Sequence, residues 1–362
     1  MVTPNPQPEP LKPETGNPKP IVAITMGDPR GVGPEVVVKA LAQESLLQIC
    51  SPLVLGDRNV LQRTAQFLGL RLETVEMREE GFPSFPQGVL PVLPLSRLSP
   101  GPNPVEVPPE ESSQASLAYV EKAGRMVLAG QVEAIVTAPV SKEAIAGLGI
   151  PFQGHTEFFA RMAGTREFVM MLAGERLRVA LVTTHLALNE VSGFLNPEKI
   201  LSVIEITGRS LKDYFGFPVP RIAVSAFNPH AGEGGLFGKE EGIISRAVEQ
   251  AREKGWGASG PWPADSLFHR AVRGEYDAVV CMYHDQGLGP FKLLHFADGV
   301  NFTLGLPFVR TSPDHGTAFD IAGKGHADPR SMIAALQLAA ALLLPAHLEA
   351  PKARPAPQGA IN

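Results

Sequence analysis

Three histidines each follow an apolar, strand-like run of the chain. The runs VALVTTH, IAVSAFNPH and AVVCMYH end at His185, His230 and His284. In open α/β sheets, ligands bind beyond the carboxyl ends of the strands, where the connecting loops converge. Three neutral imidazoles with a fourth position left open are typical of a catalytic site for a divalent transition metal. The spacing therefore predicts a metal site at one edge of a sheet, although each histidine could also simply end its strand.

Two carboxylates lie close to these runs in sequence. Asp285 directly follows His284, and Asp265 lies in GPWPADSLF, ahead of an expected helix. Either carboxylate could orient a metal-bound imidazole or accept a proton. Asp265 could instead cap its helix.

Two glycine-containing segments lie near opposite ends of the chain. The first, GDPRGVGPE, starts at Gly27 and lacks the GxGxxG spacing, so it also fits a tight turn with Pro34 in the first turn of a helix. The second, SPDHGTAFDIAGKGHADP, starts at Ser312. Its small residues allow a ligand to approach the backbone closely, but an ordinary loop would have them too.

Strand-like and helical patterns alternate along the chain, which predicts an α/β protein with a largely parallel sheet. A helix is expected from Arg58 to about Leu68, and another in MIAALQLAAALLL, which is too short to span a bilayer. The proline-rich stretch from Phe82 to Pro109 is predicted to be irregular, with PVLPL as a candidate edge strand.

Composition excludes several classes of protein. The 362 residues suggest about two domains or one two-lobed unit, and a net charge of -5 gives no electrostatic footprint for nucleic acid. The two cysteines have no metal-finger or disulfide spacing, and the opening residues do not resemble a secretory signal. We therefore expect a cytoplasmic protein without nucleic-acid or membrane partners, with tails at residues 1–19 and 351–362.

A series of segments resembles the 4-hydroxythreonine-4-phosphate dehydrogenase family of vitamin B6 biosynthesis, within the isocitrate and isopropylmalate dehydrogenase superfamily. They run in order from about Ile24 to Met332: ITMGDPRGVGPE, TAPVSK, GHTEFFA, VTTHLAL, NPHAGEGGLFGKEE, GPWPADSLF, YHDQGLGPFK and VNFTLGLPFVRTSPDHGTAFDIAGKG. The resemblance implies a two-lobed fold with the active-site cleft between the lobes. Residues 20–130 plus 305–350 would form the first lobe with the cofactor loops, and residues 131–304 the second, with the metal and substrate residues.

The resemblance also implies a reaction. Family members oxidise 4-phosphooxy-L-threonine with NAD or NADP to a 3-oxo acid, which loses carbon dioxide to give 3-amino-2-oxopropyl phosphate. One divalent ion per site (zinc, magnesium, cobalt or manganese) would be held by the three histidines, in a homodimer whose subunits share their active sites.

Further site residues follow from the same resemblance. Substrate residues are expected at His155, Thr156, Lys292, Asn301 and Arg310, and cofactor residues at His315, Gly316, Thr317, Ala318 and Asp320. Lys142 could serve proton transfer, as a lysine does in the wider superfamily, but it also fits a helix start. Arg30 stands where the family more often has a small residue, which leaves the choice between NAD and NADP open.

Three other functions stay open at this point. A related dehydrogenase could act on a phosphorylated four-carbon sugar acid such as 4-phospho-threonate or 4-phospho-erythronate. A metal-binding or small-molecule-binding protein without catalysis would not need the HGTAFDIAGKG loop. A phosphate acyltransferase of similar α/β appearance would give no reason for three histidines at strand ends.

Overall fold

The computed structural model describes residues 19–78, 85–98, 101, 103 and 105–343. Apart from Lys19, the two predicted tails lie outside these residues. The described strands are β1 Ile21–Thr25, β2 Ser51–Gly56, β3 Glu73–Glu76, β4 Val89–Pro94, β5 Ala134–Thr137, β6 Val169–Ala173, β7 Arg178–Leu181, β8 Arg221–Ser225, β9 Gly257–Trp262, β10 Ala278–Cys281, β11 Val300–Leu304 and β12 Val309–Pro313.

Helices connect most of these strands. They are α1 Gly33–Leu41, α2 Glu44–Ile49, α3 Arg58–Phe67, α4 Pro109–Leu128, α5 Lys142–Ala146, α6 His155–Met162, α7 Leu188–Phe194, α8 Pro197–Asp213, α9 Glu240–Glu253, α10 Ala264–Val272, α11 His284–His295 and α12 Arg330–Leu343. A short 3-10 segment covers Pro229–Gly235. The helices expected from Arg58 and from Met332 are thus confirmed as α3 and α12.

The strands form one 12-stranded sheet in the order β3-β4-β2-β1-β5-β12-β11-β6-β7-β10-β8-β9. The pairings within β1 to β5 and with β12 are parallel, and so are those among β7 to β10. Between the two groups, the pairings β12–β11, β11–β6 and β6–β7 are antiparallel, so the second group runs opposite to the first. The predicted α/β class with a largely parallel sheet is confirmed.

The sheet is the centre of the core. All residues of β5 and β10 are buried, as expected for parallel strands covered by helices on both faces. Helix α12 packs on β12, β5 and β11, which fits its nearly continuous apolar sequence. None of the helices in the described residues is long and apolar enough to cross a membrane.

The prediction that PVLPL forms an edge strand is wrong. It forms β4, which pairs with β2 on one side and β3 on the other, and β3 is the edge strand. Proline usually marks an edge because it has no N–H to donate. Here β4 contains Pro91 and still lies inside the sheet, where its residues Leu90, Val92 and Leu93 are buried. Residues 82–84, 99, 100, 102 and 104 of the predicted irregular stretch lie outside the described residues.

The predicted division into lobes at residue 131 stays a prediction. In the sheet, β5 pairs with β1 and with β12, which join it to the first group of strands. Strand β12 comes from near the end of the described chain, yet it lies in the middle of the sheet. Residues far apart in sequence therefore meet around β5, β12 and β11.

Candidate active site

The strands that precede the three histidines are adjacent and parallel. β10 lies between β7 and β8, so the loops after all three leave the same edge of the sheet. None of the histidines lies on its strand. His284 is the first residue of α11, His185 comes shortly after β7, and His230 lies in the 3-10 segment after β8.

Buried hydrogen bonds connect the ends of these three strands. The hydroxyl of Thr183, after β7, donates to the carbonyl of Met282, after β10, at 2.7 Å. The side chain of Gln286 accepts from the N–H of Met282 at 2.7 Å and donates to the carbonyl of Ala226, after β8, at 2.6 Å. The loops that carry the histidines are therefore held together by buried side chains.

His185 and His284 lie side by side, with ring centroids 5.9 Å apart. Nδ1 of His284 is 2.7 Å from Oδ1 of Asp285, so this carboxylate can orient the ring and leave Nε2 for a ligand. Burial lowers the pKa of His185, and the charges of Lys142 and His284 lower it further. The neutral form of imidazole, which binds metals, is thus favoured.

His230 is not brought into this pair. It is exposed and has a positive φ of 52°, as do the residues that follow it. Among the described residues, no three His, Cys, Asp or Glu side chains form a group that could hold a metal ion. The loop is anchored from α9, because Glu241 accepts hydrogen bonds from the N–H groups of Phe227 and Asn228.

A second carboxylate joins this loop to α7, a helix that the sequence analysis did not predict. Glu240 accepts a hydrogen bond from the hydroxyl of Ser192 in α7 at 2.6 Å and from Nδ2 of Asn228 at 2.8 Å. These bonds lower the pKa of Glu240 to about 2. The segments after His185 and before His230 are therefore linked through one carboxylate.

Arg310 of β12 is the centre of a buried polar cluster. It is 2% exposed, and its Nη2 donates to Oγ1 of Thr137 at 2.6 Å. Its Nη1 donates to Oγ1 of Thr303 at 3.2 Å and of Thr156 at 3.4 Å. Nε has no hydrogen-bond partner among the described residues. Burial lowers the pKa of Arg310 to about 10, and the charge of Glu157 acts in the opposite direction.

His155 begins α6 next to this cluster. Its Nε2 is buried without a hydrogen-bond partner in the described residues, and its ring contacts those of Phe152 and Phe159. Burial, followed by the charges of Arg310 and Lys142, lowers the pKa of His155 well below its usual value. His155 and Thr156 are thus next to Arg310, as expected for residues that bind one substrate.

Lys142 is the first residue of α5, so the alternative of a helix start is correct. It also reaches the site. A Cβ added to Gly154 would lie 3.3 Å from Nζ of Lys142 and 2.8 Å from Oε2 of Glu157. Together with its effect on His155 and His185, this position makes Lys142 a candidate for proton transfer.

The remaining predicted residues differ in their surroundings. Asn301 lies on β11, two residues before Thr303, and its Oδ1 is buried without a partner in the described part of the chain. Nζ of Lys292 is paired with Oδ2 of Asp314 at 2.6 Å. Asp265 is exposed on α10, where its Oδ1 accepts a hydrogen bond from the N–H of Ser266.

The helix-cap alternative for Asp265 is wrong. Helix α10 begins at Ala264 and Pro263 is its N-cap, so the aspartate lies within the first turn instead of before it.

The two glycine-containing segments are in contact. The N–H of Val32 donates to the carbonyl of Thr317 at 2.9 Å, and a Cβ on Gly31 would lie 2.9 Å from the same oxygen. Ala318 has a positive φ of 42°. The predicted cofactor residues His315, Gly316 and Asp320 are exposed on this loop. The turn and the loop therefore form one partly exposed surface.

A buried ion pair fixes the far end of this loop to α1. Nζ of Lys39 is 2.6 Å from Oε1 of Glu35 and also donates to the carbonyls of Gly325 and Ala327. The same carboxylate oxygen accepts from the N–H of Ala327 at 2.8 Å.

Sequence reasoning missed Thr137, Thr303 and Glu157. Thr137 begins the quoted block TAPVSK and Thr303 lies in the quoted block that begins VNFTLG, but threonine is common in strands, so residue type alone did not mark either one as part of a site. Glu157 lies in the quoted block GHTEFFA, where its place two residues after His155 was the available signal.

Comparisons with a family model, with relatives and with solved structures show which proteins this chain resembles. The family model described as pyridoxal phosphate biosynthetic protein PdxA matches residues 48–339. A relative from Desulfosudis oleivorans, named 4-hydroxythreonine-4-phosphate dehydrogenase, is 50% identical over 329 residues, which cover 89% of this chain and 96% of the relative. A relative from Cupriavidus necator, named D-threonate 4-phosphate dehydrogenase, is 45% identical over 327 residues, covering 89% of this chain and 97% of that protein.

Solved structures give the same result. The crystal structure of 4-hydroxythreonine-4-phosphate dehydrogenase from Klebsiella pneumoniae is similar with a TM-score of 0.80 and 40% sequence identity. The match covers 89% of this chain and 100% of that one. The similarity thus includes both groups of strands and the segments that carry the site.

Proposed function

The chain belongs to the PdxA family of pyridoxal phosphate biosynthetic proteins, and from this membership we propose that it oxidises 4-phosphooxy-L-threonine. The hydroxyl-bearing carbon would lose a hydride and its oxygen a proton. The resulting 3-oxo acid would then lose carbon dioxide to give 3-amino-2-oxopropyl phosphate. The enzyme is an oxidoreductase in this proposal, and it acts on a phosphorylated small molecule.

The observation that carries the proposal is the buried guanidinium of Arg310. It is hydrogen-bonded to threonine hydroxyls and lies beside the first turn of α6, which begins at His155 without a side-chain cap. A charged arginine and the free N–H groups of a helix N-terminus both attract anions. The first turn of α6 also carries Glu157, which makes no hydrogen bond to the guanidinium in the described residues, so a substrate with a phosphate and a carboxylate can supply the direct anionic partner.

The histidines support a bound divalent metal. His185 and His284 are adjacent, and the surroundings of His185 favour the neutral ring that a metal requires. His230, on the loop after the third neighbouring strand, would complete the set that holds the ion. When bound, such an ion would supply positive charge that stabilises a substrate oxygen as it loses its proton.

The contact between the two glycine-containing segments supports a nicotinamide cofactor, NAD or NADP. His315, Gly316, Thr317, Ala318 and Asp320 would hold it through their backbone and side chains, and the cofactor supplies the hydride acceptor.

Proton transfer in the site falls to Lys142 in this proposal. Its ammonium lies near Gly154 and Glu157 and acts on the pKa values of His155 and His185. The neutral form of Lys142 could accept the hydroxyl proton, and its ammonium could later return a proton after carbon dioxide leaves. Asp285 would orient His284, and no contact supports a role for the exposed Asp265.

We also propose a homodimer whose subunits share their active sites. Large exposed apolar side chains concentrate on the segments next to the histidines: Leu188, Phe194, Leu236, Phe237, Leu293 and Phe296. Apolar surface of this kind beside a site is typical of an interface between protein chains. A second copy would cover these side chains and close the site from solvent.

The substrate test uses purified protein with zinc, magnesium, cobalt or manganese, before and after chelation, and with each of NAD and NADP. We expect reduction of the nicotinamide with 4-phosphooxy-L-threonine, release of carbon dioxide, and loss of both on chelation. Absence of turnover with every combination would overturn the proposal.

A second substrate class is supported by the relative from Cupriavidus necator that is named D-threonate 4-phosphate dehydrogenase. The Arg310 cluster would hold the anionic groups of either substrate, because both are phosphorylated four-carbon acids. The same assay with 4-phospho-D-threonate and 4-phospho-erythronate separates the two. A higher kcat/KM for either of these acids would assign the chain to that activity.

A further inference from the structure

We propose that Thr137 and Thr303 are positioning residues that hold the Arg310 guanidinium through neutral oxygens, so that its full charge remains available to an oxyanion of the substrate. The inference rests on the proposed function, because it concerns the binding of that anionic substrate. Neither threonine is among the substrate residues that the sequence analysis predicts.

The order of the strands creates this arrangement. β12 lies between β5 and β11, and each neighbouring strand contributes one threonine to Arg310. Oγ1 of Thr303 is also 3.1 Å from Oγ1 of Thr156, at the start of α6. The three hydroxyls therefore connect the guanidinium to the helix N-terminus on which His155 lies. Displacing either strand threonine would change the direction in which Arg310 points.

The neutrality of these partners is unusual for a buried cation. Charged side chains are rarely fully buried unless they are paired with an opposite charge. Two cations that are only partly buried have such partners: Arg221 is paired with Asp277 at 2.8 Å, and Lys292 with Asp314 at 2.6 Å. Arg310 is more buried than either cation, yet its described hydrogen bonds all go to hydroxyls.

A carboxylate in direct contact would stabilise Arg310 but would also compete with the substrate for it. The negative charge of Glu157 acts to raise the pKa of Arg310. Glu157 nevertheless makes no hydrogen bond to the guanidinium in the described residues. Hydroxyl oxygens fix the geometry without cancelling the charge. A hydroxyl that accepts from arginine also keeps its own proton, which it can donate onward.

The first test removes the acceptors one at a time. Thr137→Val and Thr303→Val keep the shape of the side chain and lose the oxygen, whereas Thr137→Ser and Thr303→Ser keep the oxygen. We expect each valine variant to raise KM for 4-phosphooxy-L-threonine about tenfold, with kcat changed less than about threefold, and each serine variant to restore KM.

A matched control is available in α3. Thr64 is buried and its hydroxyl donates to the carbonyl of Val60 in the same helix. Thr64→Val should leave the affinity for substrate unchanged even if it lowers the melting temperature. A purely structural role for Thr137 and Thr303 would give this same result in their valine variants, and would overturn the inference.

The second test changes charge at constant shape. Thr303→Asp places a carboxylate next to Arg310, and Thr303→Asn places a neutral amide there. Calorimetric titration with 4-phosphooxy-L-threonine and with inorganic phosphate, without nicotinamide, should show about a hundredfold weaker binding for the aspartate variant than for the asparagine variant. Equal binding by the two variants would overturn the claim that neutrality matters.

These measurements separate the inference from the proposed function. If wild-type protein binds the phosphorylated ligands and the valine variants bind them equally well, the inference fails alone. If binding depends on the threonines but no combination of cofactor and metal gives turnover, the proposed reaction fails alone. If wild-type protein binds neither ligand, both are overturned.

Discussion

The imidazole of His155 lies in surroundings that oppose its protonation. The ring is packed between Phe152 and Phe159, and the nearby cations Arg310 and Lys142 add to the effect of burial. A neutral ring can donate a hydrogen bond from one nitrogen and accept one at the other. His155 can therefore bind a substrate group without adding charge to a region that already holds two cations.

The lowered pKa of His155 predicts a loss of stability in mild acid. In the unfolded chain the ring has a pKa near 6.5, so it takes up a proton below that pH while the folded state resists. The stability that folding gains from keeping this ring neutral is thus fully present above pH 6.5 and is lost as the pH falls. His155→Gln should remove this loss on acidification from the pH dependence of the free energy of unfolding.

Urea unfolding at pH 7.5 and 5.5 measures this difference. His269→Gln is the matched control, because His269 is exposed on α10, and this variant should keep the pH dependence of the wild type. A His155→Gln variant that loses as much stability on acidification as the wild type would contradict the prediction.

At the level of residues, sequence could predict the histidines and not the partners of Arg310. His185 and His284 each follow an apolar run, which is visible in one dimension. Thr137 meets Arg310 across 173 positions of sequence, because β12 pairs with β5. That pairing depends on the order of strands in the sheet, and no local pattern of residues reports it.

Among the elements, the side chain of Gln286 in α11 joins the ends of β10 and β8. Gln286→Leu would leave the N–H of Met282 and the carbonyl of Ala226 buried without partners. We expect a loss of about 2–3 kcal/mol in the free energy of unfolding, because unsatisfied buried polar groups keep their full desolvation cost. Affinity for zinc should also fall, since the loops carrying His284 and His230 lose their connection.

The chain offers a control for this prediction. Gln62 of α3 makes the same kind of connection, accepting from the N–H of Thr74 and donating to the carbonyl of Leu72. Gln62→Leu should also destabilise the fold, measured by urea unfolding, but should not change zinc affinity in a titration. If Gln286→Leu and the wild type bind zinc equally well, the hydrogen bonds of Gln286 do not hold the histidine-bearing loops for the metal.

The turn before α1 gives a second prediction for an element. Alanine at Gly31 would place a Cβ 2.9 Å from the carbonyl oxygen of Thr317, so the loop must move. We expect KM for NAD or NADP to rise about tenfold or more in Gly31→Ala, because overpacking costs about 1–3 kcal/mol. Steady-state kinetics at saturating substrate would measure it.

Gly242 in α9 is the matched control, since an added Cβ there meets nothing within 4 Å. Gly242→Ala should leave KM for the cofactor unchanged. If Gly31→Ala also leaves it unchanged, the turn does not contribute to the cofactor site.

Elements with a strong local pattern could be predicted from sequence. The helix from Arg58 is one, because Asp57 caps it by accepting from two N–H groups. By contrast, β6 and β11 owe their place to antiparallel pairings that reverse the direction of the sheet. The residues of these short strands do not indicate whether a strand pairs parallel or antiparallel. The alternation of strands and helices therefore predicted the class of fold but not the reversal of strand direction.

For the whole molecule, the exposed apolar side chains at the C-terminal end of α11 test the proposed homodimer. Leu293 is 87% exposed and Phe296 is 80% exposed. If a second copy covers them, replacing both by glutamate should remove about 2 kcal/mol of burial for each side chain and produce a monomer. Light scattering after size-exclusion chromatography would measure the mass, and activity should fall with it.

Val219→Glu is the control for the dimer. Val219 is also exposed, but it precedes β8 and so lies at the opposite end of that strand from His230. This variant should keep the mass and activity of the wild type. A dimer that persists after both changes on α11 would show that this surface is not the interface.

The central position of β12 also affects how the protein can be made. As the chain leaves the ribosome, β5 pairs with β1 early, but its other edge needs a strand that is translated only after β6 to β11. Until then the nascent protein exposes an apolar strand edge, which invites aggregation. Completion of the sheet therefore has to wait for the synthesis of β12, and truncation before β12 should yield an aggregating product.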